Sequence, residues 1–120
     1  MNVIDWSKYP NFSKSEFDCH ETGENEMQAR FMELLQNLRN QYGKPMRITS
    51  GYRSPNHSIE KRKAKPGTHA QGIAADIYCT GPDKFRLVKL AINMGFNGIG
   101  VSSNFIHLDV SRERCAIWGY

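Results

Sequence analysis

Three side chains in the second half of the chain have the types and spacing of a metal site. His69 and Asp76 are seven positions apart, and His107 follows in a later apolar segment. Catalytic zinc sites use three protein ligands, usually histidine and carboxylate, and keep a fourth position for water. The sequence therefore predicts that His69, Asp76 and His107 bind Zn²⁺ and that the protein is a small zinc hydrolase.

Each of these residues also has a plainer interpretation. Asp76 can face solvent or pair with an arginine such as Arg47, and a single strand histidine is more often structural than a metal ligand. The combination favours the metal, because a carboxylate inside an apolar strand needs a partner, a metal or a shifted pKa. The small residues that surround Asp76, including Ala74 and Ala75, would let another group approach the strand closely.

An arginine and a second carboxylate complete a candidate catalytic set. Arg53 follows Ser50 in the sequence S-G-Y-R-S-P over residues 50–55, at the end of a predicted strand. A guanidinium can bind a carboxylate through two hydrogen bonds or stabilise a developing oxyanion. Asp109 lies two residues after His107, so strand alternation places both side chains on one face. Together with a metal, these groups are sufficient for peptide hydrolysis.

Two longer helices are predicted from hydrophobic periodicity. The clearer one covers residues 27–42 and is followed by Gly43, which suits a helix C-terminus. The other starts at Gly81-Pro82 and continues to about Met94. Its predicted apolar face consists of Phe85, Val88 and Ile92.

Four strands are predicted, over residues 46–50, 73–79, 98–101 and 105–110. In the last of them, Ile106, Leu108 and Val110 share the face that should lie on the core. Helices come first along the chain, and the strands follow with one helix between them. This order predicts an α+β fold in which helices cover one side of a small, mostly antiparallel sheet.

The length of 120 residues fits one domain over residues 1–120, and the hydrophobic share of 39% predicts a modest core. The formal net charge is +4, with much of the excess in the sequence K-R-K-A-K over residues 61–65. That segment is either a nucleic-acid patch or a solvated loop. Repeated alternation of basic and aromatic residues is missing, so we expect a solvated loop and no nucleic-acid partner. We also expect a monomer.

The odd count of three cysteines, without a C-x-x-C pair, argues against a disulfide framework. The first residues lack the basic and apolar regions of a secretory signal. Apolar stretches of the roughly 20 residues that a membrane helix requires are also missing. We therefore expect no membrane span and synthesis in the cytoplasm, with delivery to any external substrate by another factor.

The motifs together resemble the zinc D-Ala-D-Ala carboxypeptidases, which share their fold with the hedgehog signalling domain. The resemblance covers residues 12–118 and is closest to the short, single-domain members of bacteriophages and bacteria. It is carried by S-G-Y-R-S-P at 50–55, H-x6-D at 69–76, G-I-G-V at 98–101 and F-I-H-L-D at 105–109. The resemblance implies the hedgehog/DD-peptidase fold.

The resemblance also implies residue roles. His69, Asp76 and His107 would be the zinc ligands, Arg53 would bind substrate and stabilise the oxyanion, and Ser50 would contact substrate. His57 is either a further substrate-binding residue of the pocket loop or a surface loop histidine. Several members carry an acidic residue three positions before the last ligand, and others a histidine two before it. Those positions hold Asn104 and Phe105 here. Asp109 is the replacement base that we predict, with orientation of a ligand histidine as its rival role and His57 as the next candidate base.

The implied function is zinc-dependent hydrolysis of peptidoglycan stem or cross-link peptides, as a carboxypeptidase or an endopeptidase. A protein of this type would act on the cell wall after release or be carried on a phage particle, as an endolysin or virion component. The alternative is a zinc-containing cell-wall-binding module of the same fold that has lost catalysis, because the family's base positions hold residues that cannot act as a base.

Overall fold

The computed structural model describes residues 4–63, 67–111 and 115–120. Within these residues the helices are α1 Lys14–Phe17, α2 Ala29–Tyr42 and α3 Asp83–Met94. The strands are β1 Ile48–Ser50, β2 Ala74–Tyr78, β3 Gly98–Val101, β4 Phe105–Asp109 and β5 Ala116–Gly119. Two short 3₁₀ turns cover Trp6–Lys8 and Glu60–Arg62.

The strands form one sheet in the order β1-β2-β4-β3-β5. All neighbours pair antiparallel except β3 and β5, which are parallel. The prediction of an α+β fold with a small, mostly antiparallel sheet is confirmed. The four predicted strands are present, β3 with the predicted limits and the other three with slightly shorter ones, whereas β5, at the edge of the sheet, was not predicted.

Helix α2 supplies much of the core and begins two residues later than predicted, after Gln28 in an extended conformation. Its buried side chains repeat at helical spacing and include Phe31, Leu35, Leu38 and Tyr42. Both long helices end at a glycine in the left-handed region, α2 at Gly43 with φ 75° and α3 at Gly95 with φ 101°. Glycine reaches this conformation without the penalty that a Cβ brings, so the predicted helix ends are confirmed.

The predicted apolar face of α3 is wrong at Phe85 and Ile92, whereas Val88 is partly buried against the core. Phe85 is 76% exposed and Ile92 is 55% exposed, whereas Leu87 and Ala91 are fully buried. Leu87, Ala91 and Met94 form a second apolar row at helical spacing, so periodicity alone does not identify the buried face. A row that contains the small Ala91 lets α3 approach α2 and β4 closely, and that row faces the core.

One face of the sheet packs against the helices and forms the core. Ile77, Ile99, Ile106 and Leu108 are buried on that face, and Val110 is half-buried against it. The predicted core face of β4 is therefore confirmed. The opposite face of β2 and β4 carries Asp76, His107 and Asp109, and it is closed by loops rather than by helices.

The three cysteines all lie in the described residues and are free, with Cys19 and Cys79 buried and Cys115 exposed. The expectation of no disulfide framework is confirmed. Among the described residues, no helix has both the length and the apolar character that a membrane crossing needs. In the basic segment 61–65, Ala64 and Lys65 lie outside the described residues. The prediction of a loop can therefore be compared with the structure only at residues 61–63.

Candidate metal and catalytic site

The three predicted ligands converge on one point of the sheet. Asp76 in β2 and His107 in β4 are direct partners across the antiparallel ladder, so their side chains leave the same face. His69 lies in the loop that enters β2. One potential ligand atom from each of the three residues lies within 4.8 Å of the others.

A single carboxylate oxygen joins the two imidazoles. Asp76 Oδ1 lies 3.0 Å from His107 Nδ1 and 3.3 Å from His69 Nε2. Burial raises the pKa of Asp76, but the hydrogen bonds and charges of both histidines outweigh burial and hold that pKa below its ordinary value. Two imidazole nitrogens and one carboxylate oxygen that face each other are a donor set that fits Zn²⁺.

The other nitrogen of each histidine is also engaged. His69 Nδ1 donates to the Gly51 carbonyl oxygen at 2.8 Å, which leaves Nε2 to face Asp76. His107 Nε2 lies 2.8 Å from Asp109 Oδ2, which leaves Nδ1 to face Asp76. Metal-ligating histidines usually donate their second nitrogen to a carbonyl or a carboxylate, because this contact fixes the ring and its tautomer. The surroundings of both imidazoles therefore match those of metal ligands.

Asp109 lies behind His107 and is fully buried. Its Oδ1 accepts a hydrogen bond from the Ser111 backbone N–H at 3.1 Å. Burial lowers the pKa of His107, but the hydrogen bonds and charges of Asp109 and Asp76 outweigh burial and raise it. The Asp109 carboxylate contacts the side of the imidazole that faces away from Asp76.

The space for this carboxylate comes from a glycine on the neighbouring strand. Gly98 in β3 is the register partner of Asp109, and a Cβ at Gly98 would overlap the Asp109 carboxylate. Gly100 is the partner of His107, and a Cβ there would lie 2.7 Å from the Trp118 indole nitrogen. The G-I-G-V sequence thus leaves space for the side chains behind the site.

Arg53 and Ser50 approach the ligands from the adjacent edge of the sheet. Ser50 in β1 is the register partner of Asp76, and its Oγ accepts from Arg53 Nη2 at 3.3 Å. Arg53 Nη1 lies 3.6 Å from the Glu60 carboxylate. The Arg53 backbone N–H donates to the His69 carbonyl oxygen at 3.2 Å, so the arginine segment and the ligand loop are directly connected.

These residues surround one cavity of about 290 Å³. The predicted site residues that line it are Arg53, His69, Asp76, His107 and Asp109. Further lining residues, which were not predicted, are Lys63, Thr68, Phe105, Trp118 and Tyr120. The cavity therefore has a floor of imidazole and carboxylate groups, a cationic side and an aromatic side.

The structure places His57 away from this cavity. His57 Nε2 lies 3.1 Å from Glu21 Oε2, and its Nδ1 accepts from the Ile59 backbone N–H at 3.1 Å. Among the described residues that line the cavity, His57 is not included. Ser50 does not line the cavity either, but its strand pairing with Asp76 and its contact with Arg53 place it next to the site, whereas His57 has no such connection among the described contacts.

The aromatic side had a readable signal in the sequence. The Trp118 ring centroid lies 5.4 Å from that of His107, and Tyr120 stacks at 5.2 Å on Phe105. Ile117, Trp118 and Tyr120 are residue types that strands favour, so the sequence carried a signal for β5. Lys63 carried only the signal of a basic loop in the sequence, and its ion pair with Glu60 three residues earlier was not predicted.

Two comparisons with known proteins agree with this geometry. The sequence profile described as peptidase M15 matches residues 10–109. The chain is 35% identical over 78 residues to the peptidoglycan L,D-endopeptidase MepK of Escherichia coli strain K12, and equally to that of Shigella flexneri. Each alignment covers 59% of this chain and 43% of the relative, so the chain spans less than half the length of these relatives. The chain belongs to the peptidase M15 family, which confirms the resemblance to the D-Ala-D-Ala carboxypeptidases.

Proposed function

We propose that this protein is a zinc-dependent peptidase that hydrolyses peptide bonds in bacterial peptidoglycan. The family membership supports peptide hydrolysis, and the names of the relatives support peptidoglycan as the substrate. The observation that carries the proposal is the convergence of His69, Asp76 and His107 beside Arg53 in one cavity. Both imidazoles have their outer nitrogen held by an acceptor, as metal ligands do.

We propose that His69 Nε2, His107 Nδ1 and an Asp76 carboxylate oxygen hold the ion. Bound Zn²⁺ supplies Lewis acidity and lowers the pKa of its water to about 7. The chain itself supplies the fixed orientation of the donors, because the Gly51 carbonyl and the Asp109 carboxylate determine which nitrogen of each histidine faces the ion.

Arg53 is the group that we propose for substrate binding. Its guanidinium lies on the cavity side of Ser50 and is oriented from two directions by Ser50 and Glu60. A guanidinium in this place can hold a substrate carboxylate or stabilise the oxyanion that forms at the scissile carbonyl. Phe105, Trp118 and Tyr120 form the wall on which the apolar part of a peptide can pack.

For Asp109 we propose the orienting role rather than the role of general base. The fully buried carboxylate contacts His107 Nε2 at 2.8 Å and accepts from Ser111 N–H. A general base must reach the proton that it removes, either directly or through one water. Asp109 contacts the side of the His107 imidazole that faces away from Asp76. This position favours a role in fixing the ring over contact with the attacking water.

The second candidate is a zinc-containing cell-wall-binding module without turnover. One observation favours it: the positions where family members carry a base hold Asn104 and Phe105. The Asn104 carbonyl oxygen accepts from the Cys79 backbone N–H, in a connection that leads into β4. The two candidates share the metal site and differ only in turnover.

Mass spectrometry of digested muropeptides separates the candidates. The purified protein with equimolar Zn²⁺ is incubated with cross-linked muropeptides, and Asp76→Ala serves as the control that lacks a ligand. A peptidase yields new fragments whose masses identify the bond as D,D or L,D and as terminal or internal. Intact muropeptides together with stoichiometric zinc and measurable binding to peptidoglycan would instead establish the binding module.

A further inference from the structure

Glu60 carries a nearly buried carboxylate beside the cavity. This carboxylate is not part of the proposed metal site. The residue is 4% exposed, and its side chain is 1% exposed. It lies in the 3₁₀ turn Glu60–Arg62, in the long connection between β1 and β2. Carboxylates are rarely buried to this extent unless they are paired, because desolvation of the charge is costly. The partners of Glu60 therefore indicate what it does.

Three groups contact the Glu60 carboxylate. Lys63 Nζ lies 2.7 Å from Oε2, the Gly67 backbone N–H donates to Oε1 at 3.0 Å, and Arg53 Nη1 lies 3.6 Å from Oε2. Burial raises the pKa of Glu60, but the contacts with Lys63 and Gly67 and the charges of Lys63 and Arg53 outweigh burial and lower it. The carboxylate is therefore ionised at neutral pH.

These contacts connect three parts of the loop wall. Arg53 belongs to the segment after β1, Lys63 directly follows the 3₁₀ turn, and Gly67 comes two residues before the predicted ligand His69. Lys63 and Arg53 both line the cavity, whereas Glu60 does not. Glu60 therefore contacts two of the cationic side chains of the cavity wall from outside the cavity. Among these three described side chains, one carboxylate against two cations leaves one net positive charge.

The contact with Arg53 orients the guanidinium without using all its donors. At 3.6 Å it is longer than a charge-assisted hydrogen bond of about 2.7–2.9 Å. A guanidinium has five N–H donors, and the contacts with Ser50 and Glu60 involve only its two terminal nitrogens. Donors thus remain for an anionic group in the cavity.

We propose that Glu60 is a positioning residue that holds Arg53 and Lys63 at the cavity wall in the geometry that receives an anionic group of the substrate. The anionic group is a substrate carboxylate or the oxyanion of the reaction. The inference rests on the proposed peptidase function and deepens it. In this proposal Arg53 binds the anionic group effectively because Glu60, which touches neither substrate nor metal, holds it in place.

A double-mutant cycle between Glu60 and Arg53 tests this role. Glu60→Gln keeps the size of the side chain and an acceptor for Gly67, but it loses the charge. We expect kcat/KM to fall roughly 10- to 100-fold, less than the ~10²–10³ expected when an electrostatic contact to the reacting group is removed altogether. In an Arg53→Ala background, Glu60→Gln should cost less than in the wild type, because the part of the loss that acts through Arg53 is already absent and only the part that acts through Lys63 remains.

Glu21→Gln is the matched control. Glu21 contacts Ser58 and His57 in the same connection, but it lies away from the cavity. Its substitution should leave kcat/KM near the wild-type value. Equal losses from Glu60→Gln in the wild-type and Arg53→Ala backgrounds would overturn the proposal, because they would indicate a general structural role.

A second measurement does not depend on turnover. In ¹⁵N NMR spectra, the Arg53 side-chain N–H signals should be protected from solvent exchange in the wild type and in Glu21→Gln, and exchange-broadened in Glu60→Gln. This result without wild-type turnover would overturn the peptidase proposal and support the positioning role. Protected Arg53 signals in folded Glu60→Gln would overturn the positioning role alone.

Glu60→Asp covers the case in which Glu60→Gln does not fold. It keeps the buried charge and withdraws the carboxylate by one methylene, so it should fold, bind zinc normally and lose an intermediate share of kcat/KM. Wild-type kcat/KM together with protected Arg53 signals in Glu60→Asp would overturn the proposal.

Discussion

The two sides of the cavity are built in different ways. The strand side consists of Asp76, His107 and Asp109, which neighbouring strands hold in register. The loop side consists of Arg53 and Lys63, which come from the connection between β1 and β2 and are held by the buried Glu60. The strand side depends on backbone pairing, whereas the loop side depends on one ionic cluster. Substitutions on the two sides should therefore differ in both the property they change and the size of the effect.

The largest effect should come from removing a ligand on the strand side. Asp76→Ala should lose stoichiometric zinc and all measurable turnover, because its carboxylate lies between the two imidazoles. Zinc content by mass spectrometry and the melting temperature with and without a chelator measure this. Chelation should lower the melting temperature of the wild type, since an ion bound only to the folded state stabilises by mass action.

Asp83→Ala is a suitable control for Asp76→Ala. Asp83 lies at the start of α3 and pairs with Lys44 at an exposed position far from the ligands in the fold. It should keep zinc and turnover. Stoichiometric zinc in Asp76→Ala, or in the corresponding His69→Ala, would exclude this metal site.

The next largest effect should come from the loop side. Arg53→Ala should lower kcat/KM by about 10²–10³ while zinc content stays normal, because Arg53 lies on the cavity wall and not among the ligands. Arg53→Lys should not restore the rate, since lysine keeps the charge but lacks the planar fork. Near-full activity of Arg53→Lys would mean that only a diffuse positive charge is needed.

The strand side was largely predictable from the sequence, whereas on the loop side Arg53 was predicted and Lys63 and Glu60 were not. Alternation places Asp76 and His107 on one face of their strands, and pairing of β2 with β4 then makes them neighbours. The position of Glu60 depends on a folded loop whose contacts reach from Arg53 to Gly67, and no periodicity indicates such a cluster. The buried face of α3 was predicted incorrectly for a related reason. Two apolar rows have the same helical spacing, and only packing determines which of them is buried.

A moderate effect is expected from Asp109, which contacts the predicted ligand His107 on the side that faces away from Asp76. Asp109→Asn should lower zinc affinity about 10- to 100-fold, the cost that is typical of losing the partner of a ligand histidine. Turnover at saturating zinc should change little if Asp109 orients His107. Zinc titrations followed by rate measurements at saturating metal test both parts. Normal zinc affinity with a loss of at least ~10²-fold in turnover would instead support Asp109 as the general base.

Gly98→Ala offers an independent test of the same contact. A methyl group at this position overlaps the Asp109 carboxylate, so the substitution should displace it and reproduce the loss of zinc affinity without changing a polar group. Gly119→Ala is a control on the neighbouring edge strand, because the nearest atom to its Cβ would be Val101 O at 3.9 Å. Wild-type zinc affinity in folded Gly98→Ala would mean that Asp109 does not need its observed position.

The smallest effect should come from His57, at the outer end of the loop side. Its contact with Glu21 lies away from the cavity, and Glu21 is about half exposed. A side-chain hydrogen bond of this kind contributes about 0.5–1.5 kcal/mol, and about 1.36 kcal/mol corresponds to a tenfold change in rate. His57→Ala should therefore change kcat/KM by at most about tenfold and leave zinc content unchanged. A loss comparable with that of Arg53→Ala would mean that substrate binding draws His57 into the cavity, and the loop side would then extend from Glu60 to the contact with Glu21.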